Sequence, residues 1–441
     1  MYIRLIAGFA ALAALSLALP SQAYDPMRVM RNGQILSGQA YSTFDPLTTH
    51  GAYASPEATV PIEAREIGVS VLNFNAYVQF KDVKDIADDI DVLVDEANDI
   101  QNNYSKALAL RSDVDRIVSE LQSKGNVVNG MVSSSGILPL VTWTDPRVKG
   151  SLSFDYQGNA SVGIDLPYAF AANVDGASVG LNDSCGTDNN NDGIPDSPVG
   201  FDQTKCAIDT SATFNFIGVT DFSSYSLGYS RQVYSRANEN PYKSGKLVVG
   251  GRANYFSLTT GVYVLRIDED SNNADLEDVI RDLKSNKKTN GGFDFDLGVN
   301  WVSDRYVAGA TLGNLLTPDI EYANGDKVEP GMPIAIHGAW LLHPESKRWG
   351  VRLHNDLTGQ KDPVGTELQW RTLSIGYASE SWWIPGFEIG KRWNLGKDGL
   401  SYTDFGLKLF QLVRFQAAIA DKSVSGIPQS FIFSSSVGLK F

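Results

Sequence analysis

The sequence predicts an all-β transmembrane barrel of about fourteen antiparallel strands, with an N-terminal plug segment and an α-helical insertion. Three observations predict it. Long stretches alternate apolar and polar residues with a period of two, the N-terminus carries an apolar leader, and the last strand alternates up to a terminal aromatic residue.

The leader has the layout of a secretory signal peptide over residues 1–23. Arg4 supplies the positive start, an apolar run extends from Leu5 to Leu19, and Ser21 and Ala23 are the small residues before a cut at Tyr24. The run is shorter than the ~20 residues a spanning helix needs. No cysteine follows the cut, so a lipid anchor is not expected. Residues 24–65 show turn formers such as Phe44-Asp45-Pro46 and little periodicity, and are expected to form a plug.

The barrel is expected over residues 66–441. Residues 67–80 read as an extended strand. Residues 82–122 change to a helical period, with Ile86, Ile90, Leu93 and Ala97, then Leu110, Val114, Ile117 and Leu121, on apolar stripes. The polar face of this insertion is acidic, unlike a membrane-surface helix.

From residue 150 the two-residue period dominates. Phe293, Phe295, Leu297, Val299 and Trp301 alternate with Asp294, Asp296, Gly298 and Asn300. Tyr225, Leu227 and Tyr229 do the same, as do Trp349, Val351 and Leu353, and Val162, Ile164 and Leu166. A tilted crossing strand needs about ten residues, which suits these runs. Aromatic residues near strand ends suit interfacial girdles. The stretch 268–290 reads as a loop helix carrying Leu276, Val279, Ile280 and Leu283. The closing strand sets Phe431, Phe433, Val437, Leu439 and Phe441 on one face, and a terminal Phe441 is the type of signal a barrel-assembly machinery reads by edge pairing.

Charge excludes some functions. A net charge of −14 argues against a nucleic-acid partner, which requires a basic face. The expected surroundings are outer-membrane lipid. Asp155, Asp165, Asp294, Asp296, Arg352, His354, Asp356, Glu388, Arg392, Lys408 and Arg414 fall on the expected lumen face. They form either a polar permeation path or a salt-bridged interior. The four histidines lack zinc spacing, and no catalytic residues are assigned, so the chain is not read as an enzyme.

One loop carries metal-ligand chemistry. Asp188, Asn190, Asp192, Ile194 (through its carbonyl) and Asp196 have the spacing that begins a calcium loop, with Gly193 at the sharp turn. Position 12 is Val199 instead of Glu, so a bound Ca2+ would be structural and weakly held. The motif lies within 183–206, between Cys185 and Cys206, which in an oxidising compartment read as a disulfide.

Several stretches carry a resemblance: Asp85-Ile86-Ala87-Asp88-Asp89-Ile90-Asp91, Gly245-Lys246-Leu247-Val248-Val249-Gly250-Gly251-Arg252, Phe295-Asp296-Leu297-Gly298-Val299, and Leu312-Gly313-Asn314-Leu315-Leu316-Thr317-Pro318, with the closing strand. In these the chain resembles the TraF-like outer-membrane proteins of plasmid transfer, within the wider group of fatty-acid-transporter-like (FadL-like) barrels. The Asn-Pro-Ala plug motif of the fatty-acid type is missing, with Ala54-Ser55-Pro56 in its region. The resemblance implies a bacterial outer-membrane barrel that passes or gates a small solute, hydrophobic ones included. The alternative it implies is a structural or interaction component of envelope or conjugal-transfer machinery.

Overall fold

In the computed structural model of the chain, the described residues are 41–42, 45–49, 66–80, 104–124, 128–134, 140–145, 150–159, 169–175, 179–181, 208–210 and 213–440, apart from 241, 267–280, 282, 284, 304, 343–348, 378–381, 397–398, 411–412 and 425–426. The barrel contains strand segments β1 (Glu66–Phe80), β2 (Val128–Ser134), β3 (Leu140–Asp145), β4 (Gly150–Asn159), β5 (Ala169–Asp175), β6 (Thr213–Arg236), β7 (Gly245–Arg266) and β8 (Lys287–Val302). It continues with β9 (Tyr306–Leu312), β10 (Ile334–Leu341), β11 (Trp349–Asp356), β12 (Trp370–Tyr377), β13 (Gly386–Asn394), β14 (Ser401–Leu409), β15 (Val413–Ala420) and β16 (Ser430–Lys440). Every pairing is antiparallel, and β16 closes on β1. Segments β2 and β3 both run along β1, while β4 and β5 both run along β6, so the segments fill fourteen positions.

The register fixes the barrel's shape. Following directly paired residues once round the wall leads from Tyr234 through Trp301, Leu353, Lys391, Phe431 and Phe170 back to β6 at Gly218. That displacement along one strand, combined with the standard rise and spacing of strands, corresponds to a tilt of about 40°.

Alternation sets the two faces. Phe293 and Leu297 are 66% and 50% exposed, while Asp294 and Asp296 between them are 0% and 1% exposed. The apolar residues therefore face outward and the polar ones inward, which is stable only where the outside is lipid. Aromatic rows bound the outward apolar band. Tyr156, Tyr225, Tyr255 and Phe293 are neighbours across β4, β6, β7 and β8. Near the short turns at the other end lie Tyr234 beside Trp301, Tyr306 beside Trp340, Trp349 beside Tyr377, and Trp382 beside Phe410. From Phe293 to Trp301 the tilted strand climbs about 20 Å, close to the height of a membrane-facing band.

The strands differ in length more than the sequence pattern suggests. Strands β6, β7 and β8 have 24, 22 and 16 residues, against 7 to 9 in β9–β14. The long strands extend past the Tyr225–Tyr255–Phe293 row, forming a tall wall beyond the apolar band. These three exceed the expected length of about ten residues. The loop helix expected over 268–290 is corrected: Lys287–Asn290 belong to β8, because the tall β7 offers Leu258–Gly261 as pairing partners. Helical residues are Arg281, Leu283 and Ser285. Leu283 is buried, and its carbonyl oxygen lies 1.9 Å from where a Cβ on Gly261 would sit, so that approach requires glycine.

Helix α1 (Tyr104–Lys124) matches the second half of the expected helical insertion and runs slightly past its end; residues 82–103 lie outside the described ones. It buries Leu110, Ile117, Val118 and Leu121. Arg111 Nε donates to the Val179 carbonyl at 2.6 Å. In the N-terminal stretch, Tyr41–Ser42 pairs with Asp45–Thr49, so Asp45-Pro46 is extended instead of a turn. That short strand lies near β9, β10 and β11.

Candidate functional site

Connections at the end where β1 finishes are long: 313–333 joins β9 to β10, and 357–369 joins β11 to β12. Both fold into the barrel. The first forms the hairpin Ile320–Glu321 with Lys327–Val328, and the second pairs Gln360–Lys361 with Glu367–Leu368. Asn324 and Asp326 tighten the first turn, with Gly325 at φ 94°. Asp362 Oδ1 accepts the N–H groups of Val364 at 3.1 Å and Thr366 at 2.6 Å in the second, with Gly365 at φ 85°. Positive φ at these turns suits glycine, which has no Cβ to clash.

The hairpins supply an apolar cover. Ile320, Tyr322, Val328 and Val364 cluster with Val219, Phe222, Phe256 and Leu258 of the tall wall. Tyr322 Oη donates to the Pro363 carbonyl at 2.7 Å, joining the two hairpins. Burial, then the nearby Asp362 and Asp326, pushes the Tyr322 hydroxyl above its ordinary pKa, so it remains a donor. Thr366 reaches across the barrel, where its Oγ1 accepts a hydrogen bond from Asn129 of β2 at 2.8 Å. Leu368 packs with Tyr77, Trp370, Tyr402 and Ile432 on the opposite side.

Beneath the cover the lumen is polar, and many of its groups are paired. Asp296 Oδ2 accepts from Asn254 at 2.6 Å and from Arg252 at 3.2 Å, and its Oδ1 accepts the Asn314 N–H at 3.1 Å. Asp294 Oδ1 accepts from Thr317 at 2.7 Å and from the Leu316 N–H at 3.3 Å. These two aspartates therefore latch the start of the first hairpin connection to β8. Asn314 adopts φ 59° there and donates through Nδ2 to Gly331 at 2.9 Å. On the other side Arg352 pairs with Glu388 at 2.6 Å and Arg392 with Asp404 at 3.0 Å. The Arg392 guanidinium also lies over the Trp370 ring. His354 Nε2 meets Asp356 Oδ1 at 2.9 Å, while Asp356 Oδ2 accepts the Trp370 N–H at 2.8 Å and so anchors the second hairpin. His337 Nε2 faces Asn300 Oδ1 at 2.9 Å.

Of the lumen residues expected from sequence, Asp294, Asp296, Arg352, His354, Asp356, Glu388, Arg392 and Lys408 are buried on the inner face. Asp155 pairs through its backbone with Ser226, and Arg414 with Lys408; their side chains are outside the described set. Asp165, Phe441, and the loop with Cys185, Asp188, Asn190, Asp192, Ile194, Asp196 and Cys206 lie outside the described residues. The sequence pattern missed Arg252, Asn254, His337 and Asp404. In Gly250-Gly251-Arg252-Ala253-Asn254 the outward positions are Gly and Ala, so the alternation is weak.

Fold and lumen together define a β-barrel of the outer-membrane class whose interior holds two inward hairpins and paired charges. The chain belongs to the family described as F plasmid transfer operon, TraF, protein, whose model matches residues 58–384. Three of the stretches that resemble this family meet in space, through Arg252, Asp296 and Asn314. No curated protein matches the chain. Among solved structures, it is similar to the toluene transporter TodX of Pseudomonas putida, at 10% identity over 96% of this chain and 98% of that one, with a TM-score of 0.32. It is also similar to CdiB from Acinetobacter baumannii, at 8% identity and a TM-score of 0.29, covering 86% of this chain and 60% of that one.

Proposed function

We propose that the protein resides in the bacterial outer membrane and gates passage of a small, hydrophobic solute through its lumen. The observation that carries this reading is the mode of closure. Two inward hairpins are held through side-chain contacts to Asp294, Asp296, Asp356 and Asn129, not as part of a continuous wall. Such segments move without breaking the strand ladder. Their covering cluster is apolar, which suits a hydrophobic solute at the mouth. Short turns face the periplasm in this class, so the hairpin end is assigned to the outside. Uptake of radiolabelled small hydrophobic solutes into intact cells should rise when the chain is expressed, and rise further with Asn314→Ala. Unchanged uptake in both cases would overturn the reading.

A second reading is an interaction component of envelope or transfer machinery, favoured by the concentration of long connections, including α1, at one end. Deleting 82–122 should then abolish surface assembly with uptake unaffected. A structural Ca2+ held by Asp188, Asn190, Asp192, Ile194 and Asp196 in the loop closed by Cys185 and Cys206 belongs to the same proposal. A chelator should lower the protease resistance of that loop, and no effect of chelator would remove the metal from the account.

A further inference from the structure

Just below the apolar cover, one patch of the lumen wall holds polar atoms that the protein itself leaves unsatisfied. Among the described residues, Ser224 Oγ, Ser226 Oγ, Asn254 Oδ1, and Arg252 Nε and Nη1 are buried without a hydrogen-bond partner. They are neighbours: Ser226 is directly opposite Asn254, and Arg252 is opposite Gly228. Buried polar groups are normally paired, so a cluster of this kind marks a place where another molecule supplies the partners.

The wall adds few side chains at the same level. Gly228, Gly250 and Gly298 occupy inward positions on β6, β7 and β8 beside Arg252, where other residues would project side chains. Directly above, Phe222 and Phe256 begin the apolar cluster. A molecule seated here meets hydrogen-bonding groups at one end and apolar rings at the other.

We infer that this patch of the lumen wall binds a small neutral solute with an apolar body and a hydroxyl or carbonyl oxygen, the oxygen facing Arg252, Ser224 and Ser226 once the hairpin cover moves aside. The inference rests on the transport reading and names its solute class. Charge decides against an anion. Arg252 already shares Asp296, and Asp294 lies next to it, so the local sum is one negative charge. A carboxylate would add a second in a region of low dielectric. The unsatisfied set also mixes the Arg252 donors with the Asn254 acceptor, which a hydroxyl serves in both directions.

The test uses the purified full chain in detergent, with saturation-transfer NMR titrations of benzyl alcohol, toluene and benzoate against barrel-free micelles. Benzyl alcohol should bind about fivefold tighter than toluene, the worth of one net hydrogen bond, with benzoate weaker than the alcohol. Ser224→Ala and Ser226→Ala should each reduce the alcohol's advantage and leave toluene binding unchanged. Neither hydroxyl has a partner among the described residues, so both variants should retain heat-modifiable mobility on gels. Tighter binding of benzoate, or an advantage unaltered in both serine variants, would overturn the inference. If solute uptake is seen without any preference for oxygen, this inference alone fails; if none of the three binds and uptake is also absent, the transport reading fails with it.

Discussion

The tall wall, β6–β8, and the short wall, β10–β14, follow the same alternation yet treat their inner faces differently. Low on the tall wall the inner residues are polar, with Ser226, Arg252, Asn254 and Asp296; higher up, β6 and β7 add the apolar Val219, Phe222, Phe256, Leu258 and Val262. The short wall carries charges along its inner face and pairs Arg352 with Glu388 and Arg392 with Asp404, while Asp404 Oδ1 has no hydrogen-bond partner among the described residues. The short wall's connections then fold over to cover the tall wall's apolar part. The difference teaches that one barrel closes its lumen in two ways: by hydrophobic contact where the strands outrun the membrane band, and by paired charge within it.

Placing a charge in the cover should break the comparison most strongly. Leu258→Asp buries an unpaired carboxylate among Ile320, Tyr322 and Val364, and several kcal/mol should be lost. Proteolysis in 313–333 should become fast while the barrel core stays resistant. Unchanged resistance of that hairpin would show that the cover is not held by apolar contact.

The short wall should respond next. Arg392→Met leaves Asp404 buried without its cation, costing about 3–5 kcal/mol in urea unfolding. Adding Asp404→Leu should recover most of that, because the pair's desolvation is then avoided. An equally unstable double variant would mean the ladder does more than neutralise itself.

The strands themselves were legible in the sequence because lipid and lumen impose opposite polarity on successive residues. Phe293 to Trp301 could be assigned to faces with no structure. Pairs between strands were not legible: Arg352 and Glu388 belong to β11 and β13, and only the register of both strands on β12 brings them together. The inward hairpins were hidden for a similar reason. Ile320, Val328 and Val364 stand in short polar loops, and their burial depends on the tall wall opposite. Asp404 could have been found, since it precedes Phe405 in a clear alternation.

A smaller effect is expected at the latch. Asn314→Ala keeps φ 59° without the residue type that tolerates it and loses the bond to Gly331, for about 2 kcal/mol together. Hydrogen exchange at Leu315 and Leu316 should accelerate, with global unfolding little altered. Equal slowing or no change at both amides would remove Asn314 from the latch.

The smallest effect should be one of pH. Lys288 ties Glu321 of the first hairpin to β8 at 2.5 Å, and that hydrogen bond holds the Glu321 carboxyl below its ordinary pKa. A depressed carboxylate stabilises the closed form above its unfolded pKa, and the contribution disappears as pH falls through the lower, folded value. Solvent screens this pair, so hairpin protease sensitivity should rise only slightly with acid. Glu321→Gln should abolish the acid-dependent part of that rise, and a rise preserved in the variant would assign it to other groups.

Closure by the hairpins is tested most directly by conductance in planar bilayers. The intact chain should show rare, brief openings, and replacing residues 319–329 with a short Gly-Ser linker should give a steadily conducting pore of the same strand number. A steadily open wild type, or a variant without the 319–329 hairpin that stays shut, would contradict the account.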